Sequence, residues 1–175
     1  MLDADALAHK LMERGHPAYD EIAREFGAGV IEASGGVDRN KLAGVVFADR
    51  AKLDRLNAII HPRVEEAIFK QFAEWERRGI RDPVFVEAAL LVEAGYQKKL
   101  DGLVVTWCRP EQQLERLRAR GLSEEDARRR IAAQIPMTEK LRYATEKIDC
   151  SGSLAETRRQ VEALALKIRH HETHR

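Results

Sequence analysis

Between Leu7 and Arg78 the apolar residues recur at three- and four-residue intervals, the period of helices with one buried face. Leu7, Leu11 and Met12 share such a face. Pro17 is placed to open a second helix through Ile22 and Phe26, which Gly27-Ala28-Gly29 ends. Asp38-Arg39 begins a third, with Leu42, Val45 and Val46 on its apolar side. The longest helix is predicted from about Ala51 to Arg78. It turns Leu53, Leu56, Ile59, Ile60, Val64, Ile68 and Phe72 inward and stops at Gly79. Pro62 lies inside that run. A proline removes a backbone donor and crowds the turn before it, so a kink or break is predicted near His61-Pro62.

Beyond Arg78 the pattern changes. Val84-Phe85-Val86 and Leu103-Val104-Val105-Thr106-Trp107 are short continuous apolar runs, and Lys147-Ile148-Asp149-Cys150 is a weaker one. Such runs suit strands covered on both faces. Helical sequence separates them. Pro110 opens a helix through Arg120 that Gly121 ends, and Ser123 caps another that carries Ile131 and Ile135 and stops at Pro136. Ser153 and Glu156 form a capping box for a last helix from Leu154 to about Ile168. Strands alternating with helices predict an α/β fold, a parallel sheet with helices packed on it.

Composition narrows the function classes. At 175 residues the chain can hold one domain, or a core with a small appended lobe. Lys and Arg number 30 against 29 Asp and Glu, so no basic field points to nucleic acid. Aromatic content of 6% also argues against a base-stacking platform. Cys108 and Cys150 are too far apart in sequence to read as a disulfide framework or a zinc site. No apolar run reaches the length of about 18 residues that a membrane helix needs. The first residues are acidic and lack a basic leader pattern. No internal repeat or low-complexity segment occurs. The expectation is a cytoplasmic protein without nucleic-acid or membrane partners. The tail His170-His171-Glu172-Thr173-His174 reads as a frayed terminus rather than a metal site.

Several residues could carry chemistry. Asp3 and Asp5, read as the end of a strand, would project to one side of it, at the carboxyl end where α/β sheets bind ligands. A carboxylate there can orient a hydroxyl nucleophile or hold a magnesium ion. On spacing alone, two acids solvating a chain end is the plainer account. Arg116 and Arg120 share a helix face, and Arg128, Arg129 and Arg130 follow a glycine turn, as in a mobile lid over phosphates. Solvated pairing with Glu111, Glu115, Glu124 and Glu125 explains the same charges. His61 lies on an apolar helix, where a half-buried structural role is the commoner outcome. Glu93 follows Ala89-Leu90-Leu91-Val92 and either caps a helix or faces a cleft.

Their order adds what no single piece supplies. Leu2-Asp3-Ala4-Asp5, Gly15-His16-Pro17-Ala18, Phe26-Gly27, Asp38-Arg39-x-x-Leu42, Val46-Phe47, Leu56-x-x-Ile59-x-His61-Pro62, Leu90-Leu91-x-Glu93, Gln113-x-x-Arg116-Leu117-x-x-Arg120, Ala133-Gln134, Glu139-Lys140 and Ile148-Asp149-x-x-Gly152 together resemble the dephospho-coenzyme A kinase family over essentially the whole chain. The resemblance implies a P-loop kinase with a parallel core sheet, a helical substrate-binding region and a lid. It implies a core of residues 1–8 and 80–175, with a lid at about 111–137, and a coenzyme A-binding region of residues 9–79. The implied reaction moves the γ-phosphoryl group of ATP, with Mg2+, to the ribose 3′-hydroxyl of dephospho-coenzyme A. Asp5 matches the family's catalytic carboxylate, with Asp3, Arg39 and His61 on the substrate side. Arg116 and Arg120 match lid arginines that reach the ATP phosphates, and Asp149 and Gly152 bound the turn that approaches the adenine.

One part of the family pattern is absent. No Gly-x-x-x-x-Gly-Lys-Ser/Thr sequence occurs in the chain. That loop cradles the phosphates and supplies much of the preorganised electrostatics. About 25–30 residues, one βα unit, are therefore expected to be missing from the N-terminus, leaving a kinase that is inactive as given. The alternative is an inactive remnant that binds a ligand or a partner, and a purely helical interaction protein is a third reading that the strand runs oppose. The same absence predicts a chain that is poorly stable, aggregates, or closes so that the strands near Val84 and Leu103 meet. Ala89, Thr145 and Cys150 stand where the family favours proline, aspartate and asparagine.

Overall fold

The computed structural model describes residues 1–172, with side chains through Arg169. The reading of the histidine tail falls outside those side chains. The chain forms two compact units, Met1–Ala94 and the residues from Gly95 onward.

The first unit is a helical cluster on a short parallel ladder. β1 (Leu2–Asp3) pairs with β2 (Val86–Glu87), Leu2 opposite Val86 and Asp3 opposite Glu87. The strand read at Val84-Phe85-Val86 is shorter than its apolar run suggests, and Val84 and Phe85 stay exposed. α1 (Ala4–Leu11) begins directly after Asp3, whose carboxylate accepts from the Ala6 N–H at 2.9 Å. Asp3 is thus an N-cap, and Asp5 lies in the first helical turn. The expectation of two acids side by side on one strand is corrected here: a capping aspartate stops the strand before Asp5.

α2 (Pro17–Phe26) starts on its proline and ends at Gly27, whose φ of 77° favours a residue without a Cβ. α3 (Arg39–Phe47) is capped by Asp38, which accepts from the Asn40 and Lys41 N–H groups. α4 (Arg50–Arg77) is capped by Asp49 and packs against α1, α2 and α3. Its buried residues Leu53, Ile60, Val64 and Ile68 form one face, and meet a core containing Ala18, Ile22, Leu42 and Val46. Each large aliphatic side chain buried there contributes about 1.5–3 kcal/mol.

The helix runs unbroken through Pro62, so the predicted break does not occur. In the turn beside the ring, the Ile59 carbonyl accepts from the Arg63 guanidinium, which also pairs with Glu21 of α2. A side chain thereby serves backbone in the turn that the proline disturbs.

The second unit is built on β3 (Val104–Trp107) and β4 (Glu146–Asp149), parallel and in register from Val104 opposite Glu146 to Trp107 opposite Asp149. No ladder joins this pair to β1 and β2 among the described residues, so the strands near Val84 and Leu103 do not pair. α5 (Pro110–Ala119) and α6 (Glu124–Ala132) form a hairpin about Gly121, at φ 90°. Ile135 lies beyond α6. α7 (Met137–Tyr143) follows Pro136, where the sequence pattern predicted only a stop. α8 (Leu154–Glu172) packs on β4. Its capping box is present: the Ser153 N–H donates to Glu156 Oε2 at 2.7 Å, and the Glu156 N–H donates to Ser153 Oγ at 3.3 Å.

Two polar contacts pin this unit. The Thr145 hydroxyl accepts from the Leu103 N–H at 2.8 Å and donates to its carbonyl at 2.9 Å. Buried Lys140 donates from Nζ to Gln134 Oε1 at 2.6 Å, tying α7 to the turn before it. Among the described residues no helix is long and apolar enough to cross a membrane.

Candidate active site

Four charged residues of the first unit act on one another. The end of β1 supplies Asp3, α1 supplies Asp5 and His9, and the first turn of α3 supplies Arg39. Asp5 and His9 are one helical turn apart and so share a face. Surrounding protein pushes the Asp5 carboxyl above its ordinary value of 3.8, and the negative charge of Asp3 adds to that; His9 pulls the other way. His9 itself is pushed below 6.5, first by burial and then by the Arg39 guanidinium, against the attraction of Asp5 and Asp3. The result is a carboxylate made more basic beside an imidazole made less basic. Sequence reading found Asp3, Asp5 and Arg39. It passed over His9, although the four-residue interval from Asp5 was a usable signal.

His61 of α4 is half-buried, which lowers its pKa, while the negative charge of Glu93 works in the opposite direction. The two residues are therefore neighbours, and Glu93 gains the setting that its sequence left open. No interaction between this pair and Asp5 occurs among the described contacts.

In the second unit, α5 reaches over the turn that follows β4. Arg116 Nη2 donates to the Cys150 carbonyl at 2.7 Å, and Gln112 Nε2 donates to the Ser151 carbonyl at 2.9 Å. Asp149 holds the turn from within, its Oδ1 accepting the Ser151 N–H at 2.7 Å. That bond, from a backbone donor, holds the Asp149 carboxyl below its usual range. Gly152 has no side chain, and a Cβ there would collide with Glu156 Oε2. Arg116, Asp149 and Gly152 thus come together. Arg120 caps the C-terminus of α5 and makes no bond to this turn among the described contacts.

The other arginines of the α5–α6 hairpin form solvated ion pairs. Arg128 meets Glu124 at 2.8 Å, Arg129 meets Asp126 at 2.8 Å and Glu125 at 3.3 Å, and Arg118 meets Glu124 at 3.6 Å. No group of three or more metal-ligating side chains that could hold an ion occurs among the described residues.

Short parallel ladders wrapped by helices fit the P-loop kinase class of phosphotransferases. Solved structures agree on the fold. The crystal structure of TT1252 from Thermus thermophilus matches 95% of this chain and 83% of that one, at a TM-score of 0.74 and 33% identity. A dephospho-CoA kinase from Campylobacter jejuni matches 97% of this chain and 85% of that one, at 0.66 and 26%. The family described as dephospho-CoA kinase (CoaE) matches residues 1–156. The dephospho-CoA kinase of Symbiobacterium thermophilum is 44% identical over 93% of this chain and 68% of its own length. That of Aquifex aeolicus is 43% identical over 92% and 81%. The chain belongs to the dephospho-CoA kinase family.

Proposed function

We propose that this chain, when joined to a strand and phosphate loop, phosphorylates the ribose 3′-hydroxyl of dephospho-coenzyme A with ATP, the last step of coenzyme A synthesis, in the cytoplasm. Asp5 accepts the hydroxyl proton. The freed oxygen attacks the γ-phosphorus in line, the bond from that phosphorus to the β,γ-bridging oxygen breaks, and ADP leaves with the electron pair. The observation that carries this reading is the environment of Asp5. A carboxylate whose pKa is raised toward the working pH is a better general base than a free one, and it retains a charge to orient the hydroxyl.

Arg39 and His61 serve the substrate side in this reading, with Asp3 fixing the start of α1. Arg116 and Arg120 serve the phosphates, and the Asp149–Gly152 turn serves the base. Residues 9–79 are assigned to the coenzyme A side, and residues 1–8 and 80–175 to the core, with a lid at about 111–137. Mg2+ accompanies ATP in such reactions, where it neutralises phosphate charge. The described side chains form no cage for it, and one Asp3 oxygen is already engaged as a helix cap.

The test is ATP-dependent phosphorylation of dephospho-coenzyme A by this chain and by a version carrying a strand and phosphate loop before Met1. Activity that Asp5→Asn abolishes supports the proposal. Failure of both versions, or activity indifferent to Asp5, overturns it.

A further inference from the structure

The turn after β4 has an unusual degree of bonding for a loop. Its first residue, Asp149, is bound through both backbone groups by one side chain: its N–H donates to Gln160 Oε1 at 2.9 Å, and its carbonyl accepts from Gln160 Nε2 at 2.8 Å. The Gln160 amide, reaching down from α8, thus pairs with Asp149 as a neighbouring strand would. The Cys150 N–H bonds the Trp107 carbonyl at 2.8 Å and its own carbonyl takes Arg116. The Ser151 N–H takes Asp149 and its carbonyl takes Gln112. The Ser153 N–H is held by Glu156. Among the described residues this leaves one backbone donor and one acceptor between Asp149 and Ser153 without a protein partner, and both belong to Gly152. Gly152 is exposed and has no side chain to cover them.

We propose that Gln160 is a positioning residue for the nucleotide base, holding this turn so that the Gly152 N–H and carbonyl read adenine and reject guanine. The inference rests on the reading of this turn as the adenine side of the ATP site. Adenine offers a ring-nitrogen acceptor beside an amino donor. Guanine offers a carbonyl acceptor and a ring N–H donor in the opposite order. A backbone donor and acceptor whose order is fixed by chain direction therefore match one base and oppose the other. With the phosphates anchored, the base cannot turn over to reverse the match. Polar mismatch of this kind discriminates strongly, because the groups left unpaired lose their water. Chain direction alone is not sufficient, since a turn free to rotate would present either order. Gln160 removes that freedom at the point where the turn leaves the strand.

The experiment is equilibrium titration with methylanthraniloyl-ATP and methylanthraniloyl-GTP of the version carrying a strand and phosphate loop before Met1, which anchors the phosphates, with circular dichroism melts alongside. The wild type is expected to prefer the adenine probe. Gln160→Leu, which removes both bonds, is expected to lower the preference about tenfold, the equivalent of roughly one well-made hydrogen bond. Gln160→Glu keeps the acceptor for the Asp149 N–H and is expected to fall between; it decides the question if the leucine variant fails to fold. An unchanged preference in folded Gln160 variants overturns the inference alone, as does equal wild-type affinity for both probes. Wild-type binding of neither probe overturns the nucleotide reading of the turn, and the inference with it.

Discussion

Asp5 and Asp149 lie close to the ends of parallel strands in their respective units, yet their surroundings act in opposite directions. Asp5 is exposed in the first turn of its helix, lies near a second carboxylate, and has its pKa raised. Asp149 is bonded to the backbone of its own turn and has its pKa lowered. The fold bonds Asp149 to its own backbone and leaves Asp5 to solvent. A carboxylate engaged by its own turn is scaffold. One held at a cost to the fold is available for chemistry. The contrast fits the proposed function, in which Asp5 takes the proton and Asp149 shapes the turn on the adenine side.

The largest effect that sharpens this contrast is on catalysis. In the version carrying a phosphate loop, Asp5→Asn should lower turnover by about 10²–10⁴-fold, the usual contribution of a positioned general base. Asp149→Asn keeps an oxygen for the Ser151 N–H and should leave most of kcat. Equal losses in steady-state assays would remove the distinction between the two acids.

Next comes the scaffold that places Asp5. Ile22 is fully buried beneath the helices of the first unit. Ile22→Ala should cost about 2–5 kcal/mol in denaturant unfolding. A loss below 1 kcal/mol, on the order of a surface change, would mean that the unit lacks the packed core described here.

Gly152→Ala should have a smaller effect. The new methyl group displaces the Glu156 carboxylate from Ser153, so the cap of α8 weakens by about 1 kcal/mol. A melting temperature unchanged by the substitution would show that Glu156 moves without loss.

The smallest effects are those of pH, and they have opposite signs. With its folded pKa above 3.8, Asp5 binds its proton more tightly in the native state than in the unfolded one. Its ionisation therefore weakens the fold as pH rises from 3.8 through the raised value, and Asp5→Asn should be the more stable protein at neutral pH. With its folded pKa below 3.8, Asp149 contributes stability above 3.8 that is lost as pH falls through the lowered value. Asp149→Asn should be the less stable protein at neutral pH, with the difference vanishing in acid. Thermal melts of both variants at pH 7 and pH 3 check the signs.

Much of this architecture was legible. Capping residues and apolar spacing located α2 to α6 and α8, because Pro17, Asp38, Ser123 and Ser153 act locally and their signals survive folding. α7 escaped because seven residues are too few for a period, and Pro136 reads equally as a stop and as a start. α4 continues through Pro62, which removes one backbone donor without ending the helix, an outcome that periodicity cannot reveal. Asp5 was misplaced on the strand for the converse reason: Asp3 before a helical run is a familiar cap, and that local signal outweighs the strand spacing. The site residues were recognisable only as an ordered set. What stayed hidden was side-chain to backbone bonding, above all Gln160 on Asp149, because a glutamine on a helix carries no mark of its partner.

The most direct measurement is a carbon-13 NMR titration of the side-chain carboxyls of Asp5 and Asp149 in the intact chain. The account predicts midpoints on opposite sides of 3.8, Asp5 above and Asp149 below. An Asp5 midpoint at or below that of Asp149 would contradict it.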